Sequence, residues 1–174
     1  MNQYNSTIHH RRSIRLKGYD YAQAGMYFVT ICVQDKICRF GHIANDEMVL
    51  NEYGAIAYDE WPKLADRFHN FELDVFQIMP NHMHGIIVLN TVGSGTGTGA
   101  SPDPTTIGDI VGAYKSLVAN ACLAIYKAKN EMMGKLWQQN YYEHIIRTEE
   151  AYQTISEYIV NNPAKWLDDK YYKI

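Results

Sequence analysis

Residues 25–33 are dense in β-branched and aromatic side chains behind Gly25, a pattern that predicts a central strand. Shorter apolar stretches around Ile43 and Val49, with Asn45 and Asp46 between them, predict a hairpin. From 51 to 68 the period lengthens. Tyr53, Ile56, Ala57, Trp61, Leu64 and Phe68 recur every three or four residues, which predicts a helix, and Pro62 predicts a kink or break in it. Residues 71–79 alternate roughly and end at Pro80 and Asn81, a turn signal; 82–89 then turn strongly apolar, so the two segments predict closely spaced antiparallel strands. An amphipathic helix follows, with Ile107, Ile110, Val111, Tyr114, Leu117, Val118, Cys122 and Ile125 on one broad face. Residues 141–147 predict a further strand. Residues 149–162 predict a last helix, stopped by Pro163, which disfavours helical geometry at the residue before it.

This order of elements predicts an α+β fold, an antiparallel β-sheet with flanking helices. The 174 residues suit one domain, 1–174, with a real hydrophobic core, and no internal repeat is visible. Two segments stand apart in composition. Residues 1–24 form a basic N-terminal arm, in which Arg11, Arg12, Arg15 and Lys17 place four positive charges in a stretch without a negative one. Residues 91–105 form a Gly/Ser/Thr/Pro insertion, expected to be flexible. Its glycines alternate without the lysine of a phosphate loop, which argues against a phosphate cradle.

A net charge of −3 argues against a general polyanion binder, so any nucleic-acid contact has to be local, and the basic arm is the candidate for it. The 14 tyrosines supply base-stacking surfaces as readily as core. Cys32, Cys38 and Cys122 form no CxxC pair and are odd in number, which speaks against a disulfide framework or a closed zinc site; Cys32 and Cys122 read as core residues. No apolar run approaches the roughly 20 residues of a membrane-spanning helix, and no apolar segment follows residues 1–6. A cytoplasmic protein with no membrane partner is expected.

Candidate chemistry begins at His82 and His84. Strand side chains alternate, so both imidazoles project from one face, about 7 Å apart at the backbone, with Met83 on the other. Such a pair can converge on one metal ion. Alone, it also fits two ordinary histidines at the mouth of a strand, although burying them beside Ile86, Ile87, Val88 and Leu89 without partners would be costly. On the last helix Tyr158 and Asn162 lie four apart and share a face. A phenol with an amide one turn below could set a nucleophile and an oxygen ligand beside a metal held by the sheet. The same two residues also fit an apolar stripe and a helix cap, and spacing does not separate Tyr158 from Tyr141, Tyr142 or Tyr152.

Three ordered blocks carry a resemblance that covers nearly the whole chain. They are Met79-Pro80-Asn81-His82-Met83-His84-Gly85-Ile86-Ile87, then Trp137-Gln138-Gln139-Asn140-Tyr141-Tyr142-Glu143-His144-Ile145-Ile146-Arg147, then Glu157-Tyr158-Ile159-Val160-Asn161-Asn162-Pro163-Ala164-Lys165-Trp166. Together they resemble the REP-associated tyrosine transposases of the single-tyrosine HUH (His-hydrophobe-His) superfamily, which includes the IS200-like transposases. The resemblance implies a ferredoxin- or RRM-like HUH-endonuclease fold. It implies cleavage and rejoining of single-stranded DNA through a covalent 5′-phosphotyrosine, with DNA hairpins such as REP-like palindromes as partners. The implied metal ligands are His82, His84 and Asn162, the last standing where related insertion-sequence enzymes carry a longer glutamine. The implied ion is Mg²⁺ or Mn²⁺, and the implied nucleophile is Tyr158. His144 is implied in a supporting role, and Arg11, Arg12, Arg15 and Lys17 are candidates for DNA contacts. A free tyrosine has a pKa near 10, so Tyr158 needs a metal or a base, and the sequence names no base.

The resemblance leaves monomer and homodimer both open. Two other readings compete: a metal-dependent hydrolase that activates water at the histidine pair, and a non-catalytic single-strand or hairpin binder derived from a transposase. Against the first, Gly85, Ile86 and Ile87 stand where further ligands would be expected; against the second, His82, His84 and Tyr158 are all intact.

Overall fold

The computed structural model describes residues 24–90 and 105–172; Arg11, Arg12, Arg15, Lys17 and nearly all of the 91–105 insertion lie outside the described residues. Six strands and three α-helices follow in order: β1 (Gly25–Cys32), β2 (Gly41–Ala44), β3 (Glu47–Leu50), α1 (Glu52–Glu60), β4 (Phe71–Met79), β5 (His82–Leu89), α2 (Ile107–Ala128), β6 (Tyr142–Ile146) and α3 (Glu149–Asn161). The helix expected over 51–68 breaks where Pro62 opens a 3₁₀ turn, Pro62–Asp66. Each α-helix starts on a side chain that accepts from its first turn: Asn51 for α1, Thr106 in a capping box with Asp109 for α2, and Thr148 for α3.

The main sheet runs β4-β5-β1-β6 with every pairing antiparallel, and β2 with β3 makes a separate hairpin turned by Asn45 and Asp46 at positive φ. Taking β1, α1, β4, β5, α2 and β6 in turn gives the β-α-β-β-α-β order of a ferredoxin-like fold. β1 is one of the two inner strands, and its side chains reach both faces. Tyr27, Val29 and Ile31 point into the larger core with Trp61, Leu64, Tyr114 and Val118, under α1 and α2. Phe28 points the other way and packs with Ile86, Ile146 and Ile159 under α3.

Two phenols lash the helices down, Tyr114 buried and Tyr152 half-buried. Tyr114 donates to the Ala57 carbonyl (2.8 Å), joining α2 to α1. Tyr152 donates to Asp74 Oδ2 (2.7 Å), joining α3 to β4 at the irregularity where that strand's register shifts between Leu73 and Phe76. The Lys115 ammonium donates to the carbonyls of Gln138, Gln139 and Asn140, and Trp137 Nε1 donates back to the Lys115 carbonyl, which fixes the segment leading into β6.

Gly85 follows directly on His84, and its lack of a side chain is a packing requirement. A Cβ there would lie 2.8 Å from the Trp61 ring and 3.4 Å from Phe76 Cβ, and Trp61 is fully buried, with no room to retreat. Gly85→Ala should therefore cost about 1–3 kcal/mol by overpacking, read as a lower urea midpoint at unchanged slope. Pairing it with Trp61→Phe should recover part of the loss.

At the end of α3 the structure refines the sequence expectation. The α-helix ends at Asn161, ahead of Pro163 as expected, but Asn162 keeps helical geometry (φ −59°, ψ −39°), and Pro163 opens a 3₁₀ turn, Pro163–Asp168. Proline fits the first position of a new turn because its missing N–H would have had no partner there. The consequence is functional. Asn162 stays one turn below Tyr158, and the turn folds the next residues back over β5.

Candidate functional site

His82 and His84 enter β5 straight after the Pro80-Asn81 turn, on the sheet face that carries Phe28, and both are fully buried. Their Nε2 atoms face each other at 2.9 Å. Their Nδ1 atoms are held from behind. Asn81 donates its amide to the carbonyls of Lys36 (3.1 Å) and Tyr171 (2.8 Å), so its Oδ1 is left to face His82 Nδ1 at 2.8 Å. An acceptor there requires the proton on Nδ1 and leaves a lone pair on His82 Nε2. Thr30 Oγ1 lies 2.8 Å from His84 Nδ1 and can accept from it, the tautomer in which His84 Nε2 also turns a lone pair toward His82. In that tautomer the two lone pairs face each other at 2.9 Å and repel unless positive charge lies beside both.

Burial is the main reason neither ring charges. It lowers His82 to about 3, with Lys170 and Lys36 adding to the effect, and it lowers His84 well below the ordinary range, with His82 adding to it. At neutral pH both rings are therefore uncharged, the state in which an imidazole nitrogen can serve as a metal ligand.

Tyr158 projects from α3 onto this pair. Its hydroxyl is 3.3 Å from His84 Nε2 and donates to Asp169 Oδ2 at 3.3 Å. Burial first, and then the Asp169 carboxylate, push its pKa up to about 12, while a hydrogen bond from Asn162 opposes the rise. The hydroxyl is thus protonated and close to the point where charge would be needed to activate it.

Asp169 is the residue that sequence reasoning missed. It follows the Pro163–Asp168 turn, seven positions after Asn162, and belongs to none of the motif blocks. Its Oδ2 accepts from Tyr158 and from Asn162 Nδ2 (2.8 Å), and its Oδ1 accepts from the Tyr171 backbone N–H (2.6 Å). A carboxylate offers about four acceptor positions, so one is left over. His82, His84 and Asp169 form a group that could bind a metal, with one ligand atom from each lying within 4.8 Å of the others. Asn162 is buried beside them, and its Oδ1 has no hydrogen-bond partner. An orphaned buried oxygen next to two converging imidazole nitrogens and a carboxylate fits a divalent cation of mixed nitrogen and oxygen preference.

The structure also sorts the rival tyrosines. Tyr141 packs against the larger core with Lys115 over its ring, Tyr152 is spent on Asp74, and Tyr142 stands on the edge strand. Only Tyr158 of these four bonds a histidine of the pair among the described residues. His144 shares the open sheet face, opposite Phe28, but no hydrogen bond joins it to Tyr158 among the described residues. No helix among the described residues is long and apolar enough to cross a membrane.

The chain is 43% identical over 180 aligned residues to an uncharacterized protein of Haemophilus influenzae, a match covering 98% of this chain and 97% of that protein. Among solved structures it is similar to that of a REP-associated tyrosine transposase bound to a REP hairpin. The TM-score is 0.57, with 19% identity over 95% of this chain and 74% of the other. At that identity the likeness is one of fold. No family model matches the chain.

Proposed function

Because the chain belongs to one family with the Haemophilus influenzae protein and has the fold of a REP-associated tyrosine transposase, we propose that it is a transposase-type enzyme that cleaves and rejoins single-stranded DNA at hairpins. The observation that carries this reading is the Tyr158 hydroxyl held 3.3 Å from His84 Nε2, beside the buried His82–His84–Asp169 group.

His82 Nε2, His84 Nε2, Asp169 and Asn162 Oδ1 would hold a divalent ion, which when bound polarises the scissile phosphate and offsets its developing charge. Two imidazole nitrogens together with the Asp169 and Asn162 oxygens make a mixed donor set, for which Mg²⁺ or Mn²⁺ is the proposed ion. Tyr158 Oη attacks phosphorus. The tyrosyl O–P bond forms as the bond from phosphorus to the 3′ oxygen breaks. Asp169 Oδ2, already the acceptor of the phenol proton, takes it and supplies the proton that the leaving 3′ oxygen needs. The product is a 5′-phosphotyrosine with a free 3′-hydroxyl, and the reverse attack rejoins the strand. Arg11, Arg12, Arg15 and Lys17 would add phosphate contacts on the flanking DNA. His144 would have a supporting role at most.

The test is incubation of the full chain with end-labelled single-stranded hairpin oligonucleotides and Mg²⁺. The expected products are a protein-linked 5′ end and a 3′ end that a polymerase can extend, both absent in EDTA. Release of a free 5′-phosphate fragment without a protein link would instead identify a hydrolase, and binding with no cleavage in Mg²⁺ or Mn²⁺ a non-catalytic binder.

A second prediction isolates the orientation of His82. Asn81→Leu removes the acceptor behind Nδ1 without touching the pair itself, and should lower Mn²⁺ affinity about 10–100-fold by titration calorimetry. An unchanged affinity would mean that Asn81 serves only the turn.

A further inference from the structure

Resting on that reading of Tyr158 as the nucleophile, we infer that Tyr142 and Lys170 form the seat for an unpaired nucleotide next to the scissile phosphate, with the base stacked on the Tyr142 ring and its phosphate held by Lys170. The register places Tyr142 there. Thr30 pairs with His84 on one side and with Tyr142 on the other, so His84, Thr30 and Tyr142 form one row across three strands on the same face. Two strand spacings put Tyr142 about 10 Å from His84.

Phe28 fills the floor between them. Its ring stacks on His84 (5.3 Å) and is met edge-on by Tyr158 (6.2 Å) and by Tyr142 (6.3 Å). Phe28, Thr30 and His84 are all buried, but Tyr142, at the sheet edge beside Tyr158, keeps 37% of its surface exposed. An exposed aromatic face suits a base of any identity. The ammonium of exposed Lys170 lies 5.3 Å from the Tyr142 ring and 4.8 Å from the Tyr171 ring. The Lys170 ammonium thus lies over the one open aromatic of the row, where a base stacking on the ring would take its place and leave the ammonium to the nucleotide's phosphate. An unpaired nucleotide fits this seat because a duplex hides the base faces that the ring would stack on.

The experiment measures binding of a fluorescent single-stranded oligonucleotide by anisotropy, with every variant built on Tyr158→Phe so that nothing is cleaved. Tyr142→Ala and Tyr142→Leu should each weaken binding about tenfold. Tyr142→Phe and Tyr142→Trp should bind as the parent does or more tightly. Lys170→Met should lower the slope of log affinity against log salt by about one. An oligonucleotide with one abasic position at the seat should bind the parent and Tyr142→Leu equally. Equal affinity of parent, Tyr142→Ala and Tyr142→Leu for the intact strand would overturn the proposal, as would a loss on Tyr142→Leu that every abasic position leaves unchanged. If the unsubstituted chain neither binds nor cleaves single strands, the transposase reading itself fails. If it cleaves and only the Tyr142 series is flat, the nucleotide seat alone is wrong.

Discussion

Tyr158→Phe should abolish the covalent protein–DNA adduct and lower strand cleavage by roughly a thousandfold or more, as removal of a nucleophile does. The substitution deletes one oxygen. That oxygen makes two long contacts, to His84 Nε2 and Asp169 Oδ2, both 3.3 Å, and accepts from Asn162. The ring keeps its edge-on contact with Phe28, so the fold has little to lose and thermal stability should change by less than about 1 kcal/mol. Metal affinity should hold too, since the proposed ligands are His82, His84, Asp169 and Asn162. A variant that binds Mn²⁺ and single-stranded DNA yet makes no adduct separates the nucleophile from the metal site. Cleavage at the parental rate would point to activated water and to the hydrolase reading.

His82→Ala and His84→Ala should each lower divalent-ion affinity by at least about 100-fold, more than loss of an orienting neighbour does. The clearest readout is the melting temperature. An ion bound only to the folded chain adds about 2.7 kcal/mol at a hundred times its dissociation constant, so the parent should melt higher in Mn²⁺ and the two variants should not respond. Without metal each substitution removes a buried ring and opens a cavity, so both should destabilise, the His82 ring giving up Trp166 and Tyr171 and the His84 ring giving up Phe28 and Tyr158. An undiminished Mn²⁺ response in either variant would remove that histidine from the ligand set.

Much of the scaffold is legible in the chain because periodicity records which face of an element is buried. The alternation in β1 sends Tyr27, Val29 and Ile31 to one core and Phe28 to the other, and the four-residue spacing of Tyr158 and Asn162 keeps them on one side of α3. The shared face of His82 and His84 follows from strand geometry in the same way. What spacing alone could not supply is convergence across strands and turns. Thr30 reads as an ordinary strand residue until the register sets it opposite His84, and nothing local in the sequence fixes that register.

Asn81 was legible as a turn residue, but its grip on His82 depends on carbonyls from Lys36 and Tyr171, 45 and 90 positions away in the chain. Asp169 arrives through a turn that the rule for residues before proline argued against, and its neighbour Asp168 offers the same chemistry to a reader of the sequence. The signal that could have found it is the run after Pro163, in which Trp166, Asp169 and Tyr171 lie close together. Trp166 and Tyr171 pack against His82, and Asp169 bonds Tyr158 and Asn162.

The most direct test of the account locates the covalent link. The full chain is reacted with a single-stranded hairpin oligonucleotide in Mg²⁺, the DNA is trimmed by nuclease, and the modified peptide is sequenced by mass spectrometry. Trypsin leaves Tyr152 and Tyr158 on one peptide between Arg147 and Lys165, so fragment ions have to separate them. A nucleotide mass on Tyr158 alone is expected. A link on Tyr141, Tyr142, Tyr152 or Tyr171, or metal-dependent cleavage that leaves no link at all, would contradict it.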